Sequence, residues 1–284
     1  MITGAREGIG AACAQEFTRR GARLSLIDVC SEKPDYDDRG ALWTVGDVTD
    51  DAVRREAVAA TVANLGPVDI LVNNAGVGLY ASASELSRAS DERMFAVNLW
   101  AAVALTRQVL PQMRQRRSGA VINIESICSW VSLPWCAMYS ASKHALHAFT
   151  RSLRYEVRHE GIHVMSVIPG IVDTRFREHV LGGGAPDGVA AIKRTISPHD
   201  LATSVVEGLM KKKNTVVNPR IGWAFWGIDV LFPRVMNQFM RRRNPENRSS
   251  KRGSSVSTAK SGISPTIERI LRKCWLPSGK RRTS

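Results

Sequence analysis

Apolar residues recur along the first 220 residues in two alternating patterns. Short runs of β-branched and other apolar residues are separated by longer segments in which apolar positions recur every three or four residues. The short runs predict buried strands, and the longer segments predict amphipathic helices. Their alternation is typical of repeated βαβ units, which build a parallel sheet covered by helices.

These patterns predict the bounds of each element. The predicted strands are 23–28, 41–45, 70–72, 120–125, 163–168 and 215–217. The predicted helices are 9–20, 50–65, 91–117, 138–160 and 199–211. We therefore expect residues 1–220 to form a single α/β domain with a doubly wound, Rossmann-type parallel sheet.

The first predicted strand is truncated at the N-terminus. Only Met1, Ile2 and Thr3 precede a glycine-rich turn, whereas a central strand usually has about five residues. A missing central strand would leave its two neighbours without ladder partners. We therefore expect the natural start of the protein to lie upstream of Met1.

Residues 221–243 predict a C-terminal helical extension that is aromatic at first and basic at its end. Pro233 is expected to break or bend it. The apolar positions recur at roughly helical spacing and are Trp223, Trp226, Val230, Met236, Phe239 and Met240. Such a segment suits an anionic membrane surface, with Arg241, Arg242 and Arg243 on the phosphates. A helix that caps the substrate pocket and a dimer contact are the rival interpretations.

The net charge of +14 belongs mainly to the end of the chain, because residues 241–284 hold thirteen Lys and Arg against two acids. Residues 244–284 are poor in apolar side chains, so we expect a basic, mostly disordered tail. The tail has one aromatic residue, Trp275, and no recognisable nucleic-acid module, so nucleic-acid binding is not expected.

No membrane-spanning run and no secretory signal are visible, and a cytoplasmic location is the default expectation, peripheral at the inner membrane face if residues 221–243 bind lipid. The cysteines and histidines are dispersed without ligand spacing, so we expect reduced thiols and no metal site.

A glycine-rich turn joins the first strand to the first helix, in the sequence Thr3-Gly4-Ala5-Arg6-Glu7-Gly8-Ile9-Gly10. Glycine permits a tight turn and a close backbone approach, and a helix N-terminus offers free N–H groups to a pyrophosphate. The turn predicts a dinucleotide site that includes Gly4, Arg6, Gly8, Ile9 and Gly10. A purely structural turn is the alternative.

Acidic residues end the next two predicted strands. Asp28 follows the turn by about twenty residues, where a carboxylate can accept hydrogen bonds from adenosine ribose and repel a 2′-phosphate. This favours NAD over NADP, although Arg6 could pair with a 2′-phosphate. Asp47 and Val48 could hold the adenine, and Asp47 is equally suited to a turn.

Tyr139 and Lys143 lie four residues apart on one predicted helix and therefore share a face. We expect the ammonium to stabilise the phenolate and to lower the pKa of the tyrosine towards working pH. Tyr139 would then serve as a general acid and base. Ser126 ends a predicted strand and could bind the substrate oxygen, with Ser129 and Ser132 as rivals.

Six short motifs resemble the short-chain dehydrogenase/reductase family in order and spacing over residues 1–220. They are TGAREGIG at 3–10, Asp47-Val48, Asn73-Asn74-Ala75-Gly76, Ser126, Tyr139-Ser-Ala-Ser-Lys143 and Pro169-Gly-Ile-Val-Asp-Thr174. The resemblance implies that Asn73, Asn74, Ala75 and Gly76 line the cofactor together with Tyr139 and Lys143. It places Pro169, Gly170, Val172 and Thr174 at the nicotinamide end, Ser126 and Asn98 in the catalytic set, and a water relay between Asn98 and the lysine. Glu125 stands where the family more often has a small residue.

This resemblance implies an NAD-dependent oxidoreductase that interconverts a secondary alcohol and its ketone. The apolar stretch between Ser126 and Tyr139 and a lid at residues 181–186 suggest a hydrophobic substrate such as a steroid, lipid or terpenoid, unless these aromatics are core or interface. An NADP-linked carbonyl reductase and a non-catalytic dinucleotide-binding scaffold are the alternatives. The family also implies a homo-oligomer, with a dimer contact through helices 91–117 and 138–160.

Overall fold

Seven parallel strands form the central sheet of the computed structural model, which describes residues 1–32, 40–85, 87–178, 180–181 and 195–243. In chain order the strands are β1 (Ile2–Thr3), β2 (Ser25–Asp28), β3 (Leu42–Val45), β4 (Ile70–Asn73), β5 (Gly78–Leu79), β6 (Gly119–Ile124), β7 (Ile162–Pro169), β8 (Val180–Leu181) and β9 (Thr215–Asn218). The sheet order is β3-β2-β1-β4-β6-β7-β9, and β5 pairs with β8 separately. The strand order reverses between β1 and β4, so the predicted doubly wound fold is confirmed.

Helices join these strands and cover both faces of the sheet. They are α1 (Gly8–Arg19), α2 (Asp51–Leu65), α3 (Arg88–Phe95), α4 (Ala101–Arg116), α5 (Ala137–Glu156), α6 (Pro198–Met210), α7 (Gly222–Leu231) and α8 (Pro233–Arg243). A π-helical turn, Ala96–Trp100, joins α3 to α4, and short 3₁₀ turns follow β6 and β7.

Neighbouring residues of each strand contribute to opposite cores, because successive side chains of a strand point to opposite faces. Leu26, Val72, Ile122 and Met165 pack with α1 and α6 in one buried cluster. Their chain neighbours Ile27, Leu71, Val121 and Val164 pack with α2, α4 and α5 in the other. The continuous apolar runs in the sequence therefore reflect strands that are buried on both faces.

The single helix predicted over residues 91–117 is wrong. The chain is helical from Arg88, widens into a π turn at Ala96–Trp100 and continues as α4 to Arg116. A π turn holds one more residue per hydrogen-bonded ring than an α-helix, and the apolar periodicity is too coarse to reveal it. The helix predicted over 138–160 also ends earlier, at Glu156.

The predicted truncation of the first strand is confirmed, since β1 has two residues. Ile2 pairs with Leu26 of β2 and Val72 of β4, and the Met1 amine donates a hydrogen bond to the Ile70 carbonyl at 2.8 Å. Burial lowers the pKa of this amine to about 5. A cavity of about 150 Å³ lies beside these residues, at the amino ends of the central strands.

The predicted break at Pro233 is confirmed, because α7 ends at Leu231 and α8 begins at Pro233. Among the described residues no helix combines the length and hydropathy that crossing a bilayer requires. The basic tail at 244–284 and residues 182–186 of the expected lid lie outside the described residues.

Candidate active site

The glycine turn lies at the carboxyl end of β1, where the strand order reverses. Gly4 and Gly8 have φ values of 63° and 60°, which side chains other than glycine rarely adopt. A Cβ atom on Gly10 would overlap the Gly4 carbonyl oxygen. All three glycines are thus required for the chain to turn this closely from strand to helix.

The loop after β4 fixes this turn by hydrogen bonds. The Asn74 side-chain amide donates to the Thr3 and Gly4 carbonyls, both at 2.9 Å. The Thr3 hydroxyl accepts from the backbone N–H groups of Asn74 (3.0 Å) and Ala75 (2.9 Å). Asn74 and Ala75 therefore act on the turn itself, and sequence reasoning gave no role to the Thr3 hydroxyl.

The N-terminus of α1 fits a dinucleotide pyrophosphate. Its N-cap residue Glu7 makes no side-chain capping hydrogen bond, and the first turn of the helix holds no acid. Backbone N–H groups at such a terminus bind anions through hydrogen bonds and the helix dipole. Gly4, Gly8 and Gly10 leave this turn without side-chain bulk, and the Ile9 side chain packs against the buried core.

Asp28 ends β2 beside the turn, as predicted. Its carboxylate accepts hydrogen bonds from the backbone N–H groups of Arg6 (3.0 Å) and Cys30 (3.1 Å). The Arg6 guanidinium is ion-paired with Glu32 at 2.7 Å and lies 3.7 Å from Glu7. Two carboxylates therefore lie beside the Arg6 guanidinium, and a third, that of Asp28, binds the Arg6 backbone.

Asp47 makes the hydrogen bonds of a turn residue, and its expected contact with the adenine stays a prediction. One oxygen of its carboxylate accepts from the Thr49 backbone N–H (2.9 Å) and hydroxyl (2.8 Å), and the other is ion-paired with Arg93 at 2.7 Å. These interactions lower the pKa of Asp47 although its partial burial opposes them. Val48 is buried next to it, at 7% exposure.

The residues expected at the nicotinamide end follow β7. Pro169 pairs with Asn218 of β9, and the Gly170 N–H donates to the Asn218 carbonyl at 2.8 Å. Val172 forms a bridge with Ile196. A Cβ atom on Gly8 would lie 3.2 Å from Thr174 Cγ2, so this segment borders the glycine turn.

The proposed catalytic side chains meet between the carboxyl end of β6 and one face of α5. The Ser126 hydroxyl faces the Tyr139 phenol and acts to lower its pKa. Lys143 is 4% exposed, and its ammonium donates to the Ile124 carbonyl at 3.1 Å and lies 6.0 Å from the Tyr139 ring centroid. The alternative Ser129 instead accepts from the Ser126 N–H at 3.2 Å, and Ser132 is exposed.

The predicted lowering of the tyrosine pKa is wrong for this structure. Burial raises the pKa of Tyr139 above its ordinary value, and the hydrogen bond from Ser126 only partly offsets this effect. Burial also lowers the pKa of Lys143 to about 8, against the opposing charge of Glu125. Desolvation therefore outweighs the pairing that the i, i+4 spacing suggests, since Lys143 is buried and Tyr139 is half-buried beside it.

Asn98 lies within the π turn and uses its whole side chain in hydrogen bonds. Its carbonyl oxygen accepts from the Val77 N–H at 2.8 Å, and its amide donates to the Val77 carbonyl and the Ser142 hydroxyl. A Cβ atom on Gly76 would lie 3.3 Å from this oxygen and 3.5 Å from the Lys143 nitrogen. Asn98 and Lys143 therefore flank Gly76, and the water relay stays a prediction.

One buried pair beside Ser126 was not predicted. The Glu125 side chain is completely buried and lies 2.7 Å from His147 Nδ1. The partners are 22 positions apart, on β6 and α5, so only the fold brings them together. The unusual acid at position 125 was the signal in the sequence.

Comparison with known proteins agrees with this geometry. A family model for short chain dehydrogenases matches residues 1–181. The bovine dehydrogenase/reductase SDR family member 7B is 32% identical over 269 residues, which cover 88% of this chain and 82% of the relative.

Solved structures share the fold. A short-chain dehydrogenase from Streptomyces avermitilis is 27% identical with a TM-score of 0.71, covering 90% of this chain and 98% of that one. A Brucella melitensis 3-ketoacyl-(acyl-carrier-protein) reductase complexed with NADH (TM-score 0.67; 76% and 94% covered) is 25% identical. A Thermococcus sibiricus alcohol dehydrogenase complexed with 5-hydroxy-NADP (TM-score 0.64; 76% and 93% covered) is also 25% identical. The chain thus belongs to the short-chain dehydrogenase/reductase family of oxidoreductases, which bind a nicotinamide dinucleotide and act on CH–OH groups.

Proposed function

We propose that this enzyme uses NAD to interconvert a hydrophobic secondary alcohol and its ketone, with Tyr139 as the general acid and base. The observation that carries the proposal is the meeting of Ser126, Tyr139 and Lys143 beside a glycine turn that fits a dinucleotide. A non-catalytic scaffold would not require a buried lysine next to a half-buried tyrosine.

The three side chains divide the work on the substrate oxygen. Ser126 orients the oxygen, and Tyr139 removes the hydroxyl proton during alcohol oxidation or returns it during ketone reduction. Lys143 places a positive charge near the phenolate, which favours proton transfer to and from a group whose pKa burial has raised. The bound nicotinamide supplies the acceptor or donor of the hydride.

Three carboxylates support NAD as the cofactor. Glu32 and Glu7 contact the Arg6 guanidinium and Asp28 binds its backbone N–H, so the three carboxylates outnumber the two arginines, Arg6 and Arg175, at this point. A 2′-phosphate would meet this negative charge, whereas the two ribose hydroxyls of NAD can donate hydrogen bonds to a carboxylate. Because Arg6 is already paired, its guanidinium gives a 2′-phosphate little compensation.

Aromatic side chains near the catalytic groups support a hydrophobic substrate. The Phe176 ring lies 6.2 Å from the Tyr139 ring, and Trp130 packs at 4.9 Å from Trp223. The Brucella reductase is named for a ketoacyl group and the Thermococcus dehydrogenase for an alcohol, which agrees with carbonyl chemistry here.

The exposed surface of α7 and α8 supports binding to an anionic lipid surface. Arg220 and Arg234 are exposed beside it, and Lys211, Lys212 and Lys213 are exposed at the end of α6. Large apolar side chains in water favour a partner that removes them from water, and the neighbouring cations favour an anionic one. The exposed apolar residues are Ile221, Trp223, Trp226, Ile228, Val230, Leu231, Phe232 and Val235.

Replacing Tyr139 by Phe tests the reaction. We expect NAD-linked turnover to fall about 10²- to 10⁴-fold, because the general acid and base is lost, while NAD binding is retained. Turnover is measured from absorbance of the reduced cofactor with a panel of hydrophobic alcohols and ketones. Tyr155→Phe, at an exposed tyrosine, is the control. Wild-type rates in the Tyr139 variant would contradict the assignment.

Gly10→Ala tests the cofactor turn. The added Cβ atom would overlap the Gly4 carbonyl, so we expect NAD affinity to fall by at least about tenfold, or 1.4 kcal/mol. Titration calorimetry with NAD measures the loss. Gly227→Ala, where a Cβ atom meets nothing within 4 Å, should bind NAD as the wild type does. Equal affinities for both variants would refute the site.

Asp28→Ala tests the choice of cofactor. We expect the NAD/NADP ratio of kcat/KM to fall about fivefold or more, because a unit charge at about 4 Å is worth about 1–4 kcal/mol. Asp200→Ala, at the first turn of α6, controls for a general change of charge. An unchanged ratio, or an NADP preference in the wild type, would favour the NADP-linked alternative.

Flotation with lipid vesicles tests the membrane surface. We expect the protein to float with vesicles that contain anionic lipid and much less with neutral phosphatidylcholine, since each nearby cation adds about 1 kcal/mol. Leu231→Asp combined with Phe232→Asp should abolish flotation, while Val45→Asp, at another exposed apolar residue, should not. Equal behaviour of all three proteins would support the capping or dimer interpretation of α7.

A further inference from the structure

The turn that carries Ser126 is bracketed by two residues that bind the same side chain. Ser126 is the N-cap of the 3₁₀ turn Ile127–Ser129, and Trp130 is its C-cap. Glu125 immediately precedes this turn. Both Glu125 and Trp130 hydrogen-bond the imidazole of His147 on α5, at 2.7 Å and 3.2 Å.

The two hydrogen bonds select one tautomer of the neutral imidazole. The indole Nε1–H of Trp130 can only donate, so His147 Nε2 must offer a lone pair. The proton of the neutral ring is then on Nδ1, where it donates to the Glu125 carboxylate. The imidazole therefore accepts from one end of the turn and donates to the other, so the two contacts hold its orientation.

The surroundings of this contact are rigid. The Glu125 side chain is completely buried, and its N–H continues the sheet by donating to the Val167 carbonyl at 2.9 Å. The Trp130 ring lies edge-on to His147 and within 6 Å of Trp223 and Trp226 of α7. A side chain held from both sides in this way has little freedom to reorient.

His147 belongs to the same helix face as the catalytic residues. Tyr139, Lys143 and His147 are spaced four residues apart along α5. They contact three consecutive positions of the facing chain, because Tyr139 meets Ser126, Lys143 meets the Ile124 carbonyl and His147 meets Glu125. The histidine thus continues the contact that places Ser126 opposite Tyr139.

We propose that His147 is a positioning residue that holds the turn carrying Ser126 at both of its ends, through Glu125 before the turn and Trp130 after it. It sets the place of the serine hydroxyl relative to the Tyr139 phenol and touches neither substrate nor cofactor. The proposal rests on the proposed function, because it assigns the serine a role in that reaction.

A double-mutant cycle tests the proposal by steady-state kinetics. Displacement of a catalytic group by about 1 Å can cost about 10²-fold in rate, so we expect His147→Phe to lower kcat about tenfold to hundredfold with NAD affinity retained. In a Ser126→Ala background the same substitution should change kcat less than about twofold, because its effect passes through the serine. An equal loss in both backgrounds would overturn the proposal.

Conservative variants separate positioning from packing. The amide of His147→Gln can accept from Trp130 and donate to Glu125, so we expect it to recover most of the rate lost in His147→Phe. Trp130→Phe keeps an aromatic ring but loses the N–H donor, and a loss of about threefold to tenfold is expected for one hydrogen bond. His144→Gln is the matched control, since His144 contacts the Ser140 carbonyl of its own helix. If the Gln and Phe variants of His147 were equally slow, the hydrogen bonds would not be what matters.

An NMR measurement tests the hydrogen bond between Trp130 and His147 without any turnover. The indole N–H resonance of Trp130, identified by its absence in Trp130→Phe, should be protected from hydrogen exchange in the wild type and in His147→Gln. It should lose about fivefold of its protection in His147→Phe, which corresponds to about 1 kcal/mol for one lost hydrogen bond. Unchanged protection in His147→Phe would overturn the proposed role of His147.

A wild-type enzyme that turns over no alcohol or ketone would instead overturn the proposed function, and the NMR result would still decide whether His147 holds Trp130. If His147→Phe does not fold, as judged by circular dichroism, His147→Gln and Trp130→Phe decide both tests.

Discussion

The contact between α5 and the carboxyl end of β6 is the interaction on which the site depends. Three successive turns of the helix face Ile124, Glu125 and Ser126; Lys143 and His147 are hydrogen-bonded there, and Tyr139 faces the Ser126 hydroxyl. A parallel strand can end at this point because the next residues leave the sheet as a short turn capped by Ser126. The reacting groups therefore come from a well-packed joint of the fold, where displacement of any partner disturbs the others.

Burial, more than charge pairing, sets the electrostatics of this joint. Lys143 is removed from water and bonded to a carbonyl, so its charge is opposed by desolvation and supported by Glu125. Burial raises the pKa of Tyr139 by more than the Ser126 hydroxyl lowers it. The pKa values of both groups are thus set by the environment that they share. Glu125 supplies the negative charge that stabilises the buried ammonium of Lys143.

Much of the fold was predictable from the sequence. Strands that are buried on both faces appear as continuous apolar runs, and helices appear as apolar positions that recur every three or four residues. Turn chemistry was equally visible, as glycines at positive φ and the break at Pro233 show. The π turn at Asn98 was not, since a widened helical turn barely changes the apolar period. The raised pKa of Tyr139 and the contacts of His147 were also beyond the sequence, because burial and partners distant along the chain exist only once the sheet has formed.

The tryptophan contacts between α7 and the turn after β6 have a consequence for how such enzymes diversify. Trp223 and Trp226 pack against Trp130. The Trp130 indole donates a hydrogen bond to His147, which also contacts Glu125 just before Ser126. The dinucleotide cradle is built elsewhere, from the loops after β1 and β4. Replacement of the C-terminal helices during evolution would therefore first change the position of Ser126, while the residues of the dinucleotide site would be unaffected.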